Sequence, residues 1–308
     1  MTPGVQQGIL VVDKPSGPTS HDVVACLRRI YCMRQVGHCG TLDPLATGVL
    51  VICLGQYTRL SSWLSGQDKE YLATLQLGAH SDTGDAQGCV VSVAGATAPE
   101  ARALLRTLSS FVGQIEQVPP AHSAIHVRGQ RAYQRARGQQ PVALPPRCVW
   151  VRELEVVRYE YPTLVLRVAC SKGTYVRSLA ADLGAALGCG AHVVQLRRVR
   201  SGALGLQDAR TLEALAEAAA SGAATDCFVS VRQALSGVPE AVLTPAQFER
   251  FAHGGMVGGV APPASAHIQD CAVYGTDGVL GGIGRWDPEQ QALRPLRVLR
   301  AVANARRA

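Results

Sequence analysis

Lysine is nearly missing from this 308-residue chain. Lys14, Lys69 and Lys172 are the only three, against 30 Lys plus Arg. A bias that strong reflects coding composition more than chemistry, so where the three lysines stand is more informative than their number. Other absences narrow the function. No pair of the ten cysteines is spaced C-x2-C or C-x4-C, which excludes the usual zinc ladder. Lys172-Gly173-Thr174 has no preceding G-x4, so it is not a phosphate-binding P-loop. Asp82 and Asp85 lack the alternating carboxylates and later Glu of an EF-hand. No triplet glycine period is present, which excludes collagen. No apolar run approaches the ~18 residues of a membrane span. Met1 to Gly8 shows no apolar signal core, so no secretory signal is expected. With cysteines sitting inside apolar runs, such as Cys53 and Cys170, buried reduced thiols and a cytoplasmic location are expected.

One absence is local. From Gln117 to Arg152 there is no Asp or Glu, while Arg128, Arg131, Arg135, Arg137, Arg147 and Arg152 all fall there, with Tyr133 among them. A solvated charged face normally mixes signs, so this block reads as a surface for a polyanion. The net charge of +7 agrees. The composition, 47% hydrophobic and 17% charged, supports an ordered core. At roughly 150 residues per domain the length suggests about two domains.

The apolar patterning predicts strands over 9–12, 49–54, 71–77, 149–159, 163–170 and 193–199. It predicts helices over 23–31, 99–111, 176–187 and 212–220, the third closed by Gly188. Gly37 to Gly48 reads as a loop. Leu196-Arg197-Arg198-Val199-Arg200 reads either as a second basic cluster or as a plain edge strand. Ser236-Gly237 and Pro239 mark a boundary, giving units 1–235 and 236–308. Glycine-spaced strand candidates at 271–274, 279–283 and 294–299 suggest a small β-barrel in the second. Strands and helices mix without strict alternation, which favours α+β.

Two stretches carry the chemistry. In Gly37-His38-Cys39-Gly40-Thr41-Leu42-Asp43-Pro44-Leu45-Ala46-Thr47-Gly48 a single carboxylate, Asp43, stands among apolar and small residues. It is either a catalytic carboxylate or an Asx-turn or helix cap before Pro44. In Lys172-Gly173-Thr174-Tyr175-Val176-Arg177, Tyr175 and Arg177 are two apart and would face one side of an extended chain. They could stack a base and pair a carboxylate, or simply mark a turn-to-helix junction.

These residues resemble the signatures of the TruB family, the tRNA pseudouridine-55 synthases. Lys14-Pro15-Ser16-Gly17-Pro18-Thr19-Ser20, Lys69-Glu70-Tyr71, Ser81-Asp82-Thr83-Gly84-Asp85 and Gly188-Cys189-Gly190-Ala191-His192 also match, in order. All three lysines lie inside such segments, and the resemblance spans about residues 8 to 235. It implies a pseudouridine synthase fold, with a mixed, largely antiparallel central sheet flanked by helices and a C-terminal PUA-like barrel. It implies a monomeric isomerase in tRNA processing that acts on the T loop by base flipping, with tRNA as partner and neither cofactor nor metal.

By the same resemblance Asp43 stands at the catalytic aspartate, and Arg177 at the arginine paired with it. Arg177 is then expected to hold the Asp43 pKa down. His38 matches the histidine that enters the RNA loop, Tyr71 the tyrosine stacked on the target base, and Tyr175 the second active-site tyrosine. Leu196 matches an apolar residue of the base pocket. The stretch 122–147, with Arg131 and Arg135, resembles a thumb that closes on tRNA. Two residues depart from the pattern: Cys39 replaces a Thr, and His126 stands where Lys is common. The rivals are a non-catalytic tRNA-binding or tRNA-folding protein and an unrelated hydrolase with an Asp nucleophile. Pure binding needs no carboxylate facing a phosphate-rich ligand, and the acid-free block disfavours a small neutral substrate.

Overall fold

The apolar runs pair with one another to form the core of the first sheet. Gly8–Lys14 runs antiparallel to Thr47–Leu54 over its whole length, from Gly8 opposite Leu54 to Lys14 opposite Gly48. Both strands are buried on two faces, which is why they read as continuous apolar runs rather than alternating ones. In contrast, Lys69–Leu77 alternates buried and less buried residues. The computed structural model describes residues 7–120, 126–127, 130–131, 144–261 and 269–299; at 126–127 and 130–131 it describes the backbone.

The first sheet has ten strands. Its path runs Ala209–Arg210, Gly8–Lys14, Thr47–Leu54, Ala191–Ser201, Lys69–Leu77, Thr163–Cys170, Arg147–Glu160 and Gly113–Gln117. Val36–His38 and Leu204–Gly205 pair off this path. Most pairs are antiparallel, and two are parallel: Gly8–Lys14 with Ala209–Arg210, and Thr47–Leu54 with Ala191–Ser201. Helices Ser20–Ile30, Ala101–Ser110, Val176–Ala186 and Leu212–Ala220 contribute Leu27, Leu108, Leu183 and Leu215 to the core that covers this sheet. Each such side chain contributes roughly 1.5–3 kcal/mol on burial. The mixed α+β architecture expected from the sequence is the one found. The loop expected over 37–48 is shorter, since strands extend to His38 and begin at Thr47.

The first helix starts where Thr19 caps it. Its side chain accepts from the Asp22 amide, and Asp22 returns the bond to the Thr19 amide at 2.8 Å. A second sheet of five strands lies towards the C-terminus in the order Glu240–Leu243, Asp270–Gly275, Leu280–Asp287, Ala292–Val298, Val257–Gly258. It is a curled half-barrel. Helix Pro245–Ala252 packs Phe251 into its core, with Thr244 and Gln247 forming a second capping box. Tyr274 and Ile283 of this sheet share a cluster with Ile9 of the first sheet and with Leu60 and Leu64 of the helical turns that follow Thr47–Leu54. Arg59 also donates to the Val298 carbonyl at 2.9 Å.

Three expectations need correction. Strand Ala191–Ser201 is interior, between Thr47–Leu54 and Lys69–Leu77, so it is neither an edge nor a free basic cluster. Arg197 pairs with Asp13 at 2.8 Å, Arg200 with Glu70 at 2.9 Å, and Arg198 is 1% exposed. The cysteines are not uniformly buried: Cys39, Cys53, Cys170, Cys189 and Cys271 are, while Cys32, Cys89 and Cys148 are exposed. Arg177 lowers the Asp43 pKa as expected, but burial outweighs it and the net direction is upward. Among the described residues no helix is long and apolar enough to cross a membrane.

Candidate active site

One row across the first sheet positions the site. Gly48 lies beside Arg198, Arg198 opposite Tyr71, and Tyr71 opposite Val168. Above this row the chain from Cys39 to Ala46 makes the loop that carries Asp43. The loop is tied down from several directions. The Ala46 amide donates to the Asp43 carbonyl at 3.0 Å, closing a turn with Pro44 at its corner. Ser20 Oγ both accepts from the Leu42 amide, at 2.8 Å, and donates to the Leu42 carbonyl. Lys14, fully buried, donates Nζ to the carbonyls of Pro15, Pro18 and Pro44. The lysine of the first signature is thus a clamp between its own turn and the Asp43 loop.

The Asp43 side chain does not cap a helix. Its Oδ2 lies 2.9 Å from Nε of Arg177, in the first turn of helix Val176–Ala186. Arg177 is 4% exposed, and its Nη1 donates to the Thr83 carbonyl at 2.9 Å. Asp85 Oδ2 stands 3.6 Å from the same Nε. A buried cation in a helix's first turn opposes the helix dipole, and two carboxylates offset that. Asp85, which the sequence places in a matching family segment without a role, is therefore a second partner of Arg177.

A pocket opens over this ion pair. Asp43, Lys69, Tyr71, Tyr175, Arg177, Leu196 and Arg198 are in its wall. Tyr71 is 9% exposed and Leu196 7%. Tyr175 is fixed through its backbone: its amide donates to Gln117 Oε1 at 2.7 Å, and Gln117 Nε2 donates to its carbonyl at 3.0 Å. The Arg147 guanidinium lies 6.0 Å from the Tyr175 ring centre. Burial raises the Asp43 pKa. Arg177 pulls it down, Asp85 pushes it up, and burial outweighs the arginine. Burial likewise raises the Tyr71 pKa and lowers that of Lys69 to about 8.

The structure thus brings together Asp43, Tyr71, Tyr175, Arg177 and Leu196. His38 sits on strand Val36–His38, half-buried opposite Ile52 and outside the pocket wall. Arg135 lies outside the described residues, as does most of the expected thumb. Arg131 is described only as backbone, paired with His126 in a short hairpin. Sequence reasoning missed Arg198, which donates to the carbonyls of Val49 at 2.6 Å and Gly40 at 3.1 Å. Cys39 is also buried, its Sγ 3.4 Å from that of Cys53. A carboxylate held by a buried arginine in a pocket wall that also carries two tyrosines can act as nucleophile or base on a flat ring bound there.

The chain is similar to known proteins along most of its length. The model of the TruB family pseudouridylate synthase N-terminal domain matches residues 28–176. That of the tRNA pseudouridylate synthase B C-terminal domain matches 177–242. A protein of Syntrophobacter fumaroxidans named tRNA pseudouridine synthase B is 44% identical over 240 residues, 78% of each chain. One of the same name from Burkholderia pseudomallei is 42% identical over 281 residues, 90% of this chain and 92% of that protein. Among solved structures, a chain of a Cbf5-Nop10-Gar1 complex superposes with a TM-score of 0.78 at 27% identity, over 96% of this chain and 85% of that one. A chain of an H/ACA RNP bound to a substrate RNA containing 2′-deoxyuridine gives 0.75 at 26% identity, with the same coverage. The chain therefore belongs to the TruB family of pseudouridylate synthases.

Proposed function

We propose that this chain is a tRNA pseudouridine synthase that isomerises uridine 55 in the T loop, with Asp43 as its essential carboxylate. The observation that carries this reading is the Asp43–Arg177 ion pair in the wall of a pocket shared with Tyr71 and Tyr175. The target base is stacked in the free RNA, so it must leave the stack to reach such a pocket. Tyr71 offers it a flat face, Leu196 an apolar contact, and Tyr175 a hydroxyl that can take the final proton from C5. Arg177 orients Asp43 and keeps part of its ionised character against burial. His38 fills the space left in the RNA loop, and Arg131 and Arg135 draw in the tRNA backbone. In this reading the chain works as a monomer in the cytoplasm without a cofactor. Residues 1–235 form the catalytic unit and 236–308 the RNA-binding one.

The reading is tested by incubating the purified chain with an unmodified tRNA transcript and mapping pseudouridine. Modification confined to position 55 of the T loop is expected. A transcript that binds but stays unmodified would favour the tRNA-binding or tRNA-folding alternative.

A further inference from the structure

Arg177 has two carboxylates to answer its charge. Two other buried cations in the same pocket wall have none. Lys69, 6% exposed, gives its Nζ to the carbonyls of Ser65 and Gln67, both at 2.5 Å. Arg198, 1% exposed, gives its guanidinium to loop carbonyls. Among the described residues no carboxylate comes within 4.0 Å of either. Asp68, next to Lys69 in sequence, turns instead to Arg152 at 3.1 Å. Cys170, opposite Lys69 in the sheet, has its thiol pushed up to about 11 by burial and stays uncharged. Tyr71 is held neutral in the same way. Buried charge without a counter-ion is costly, and a fold that keeps it at an active pocket has charge to spare for the reaction.

We infer that Lys69, with Arg198 behind it, supplies the counter-charge for the negative charge that develops on the uracil ring when its bond to ribose breaks. This rests on the proposed function but not on the choice of route. If the Asp43 carboxylate attacks C1′, or removes the 2′ proton, the C1′–N1 bond breaks and its electron pair goes to the ring. If the carboxylate adds to C6, the C5–C6 pair moves to O4. In each case the ring carries a full negative charge. That charge is lost when C5 bonds to C1′: the Asp43 carboxylate leaves C1′ or C6, or the 2′ proton is returned, then C5 releases its proton and N1 gains one. A preorganised cation facing that charge lowers the barrier to bond breaking and does little for ground-state binding.

The test uses leaving-group acidity. Single-turnover rates of C1′–N1 bond breaking are measured for the full chain and for Lys69→Gln and Lys69→Arg on a tRNA transcript carrying uridine, or 5-fluorouridine, at the target. Fluorine makes the ring a better anion, so it needs less help. Lys69→Gln is expected to lose about a hundredfold on uridine but only about tenfold on 5-fluorouridine, with tRNA affinity unchanged. Lys69→Arg, which keeps the charge, should stay within about threefold. Equal losses on the two substrates would overturn the inference, as would no loss; equal losses are what a purely structural lysine, or one meant for a backbone phosphate, would give. If Lys69→Gln does not fold, Lys69→Met fills the same space without charge and the same ratio is read. A wild-type chain that makes no pseudouridine contradicts the functional reading itself, and the inference falls with it.

Discussion

A β-carbon on Gly48 would stand 2.2 Å from the carbonyl oxygen of Arg198. Gly48 also has φ +96°, a conformation that L side chains rarely adopt. The two residues are register partners in a parallel pair. The side chain of Arg198 meanwhile binds Gly40 at the far end of the Asp43 loop. One residue thus fixes both ends of the loop, by close backbone approach at one and by guanidinium bonds at the other.

Gly48→Ala should therefore be costly in both respects. A loss of about 2–4 kcal/mol in unfolding free energy is expected, from overpacking and backbone strain together. Denaturant unfolding checks it. A well-folded Gly48→Ala protein of unchanged stability would show that the sheet row does not constrain the loop.

The pH dependence follows from the carboxylates. The proposed reaction uses Asp43 ionised, and burial raises its pKa above the usual carboxylate value. Activity should therefore fall with decreasing pH at a higher value than an exposed aspartate would give. Asp85 contributes to that rise, so Asp85→Asn should move the acid limb of the pH–rate profile down. A limb that stays in place, or moves up, would contradict the electrostatic account of the three residues.

Arg177→Lys keeps a positive charge but loses the planar fork that meets Asp43 and the Thr83 carbonyl together. Single-turnover rates should drop about a hundredfold with tRNA binding retained. Combined with Asp43→Asn, the loss should be no larger than for Asp43→Asn alone, because the two act as one unit. Additive losses would separate them.

Reversing Arg131 and Arg135 to Glu tests the acid-free block. Affinity for tRNA should fall, and the slope of log affinity against log salt should flatten by about 1–2, as fewer counterions are released. Single-turnover rates at saturating enzyme should change less. An unchanged slope would make the block an ordinary solvated surface.

Much of this fold is legible in the chain. The runs Ile9–Val12 and Val49–Leu54 are apolar because both faces are covered. The expected helix over 176–187 is found over Val176–Ala186, since its apolar spacing matches the face it buries. The segments carrying Asp43, Tyr71 and Arg177 are legible through their resemblance to the family's signatures, whereas spacing alone left Asp43 open between a catalytic carboxylate and a turn or cap. Arg198 is not legible. Leu196-Arg197-Arg198-Val199-Arg200 has the look of a charged edge, and only the three-dimensional positions of Asp13, Glu70 and the loop carbonyls show that each arginine is partnered and that Arg198 is buried. Composition cannot reveal carbonyl partners supplied from residues 149 to 158 positions away. The Asp43 pKa escaped for a similar reason: a paired arginine can be read from a motif, but the depth of burial that outweighs it cannot.

The most direct measurement is pseudouridine formation by Asp43→Asn on an unmodified tRNA transcript, with tRNA affinity measured alongside. The substitution keeps shape and hydrogen-bonding capacity while removing the charge and the nucleophile. The account predicts no pseudouridine above background and an affinity that holds or rises, since one negative charge fewer faces the phosphates. An Asp43→Asn protein that makes pseudouridine at the wild-type rate would contradict it.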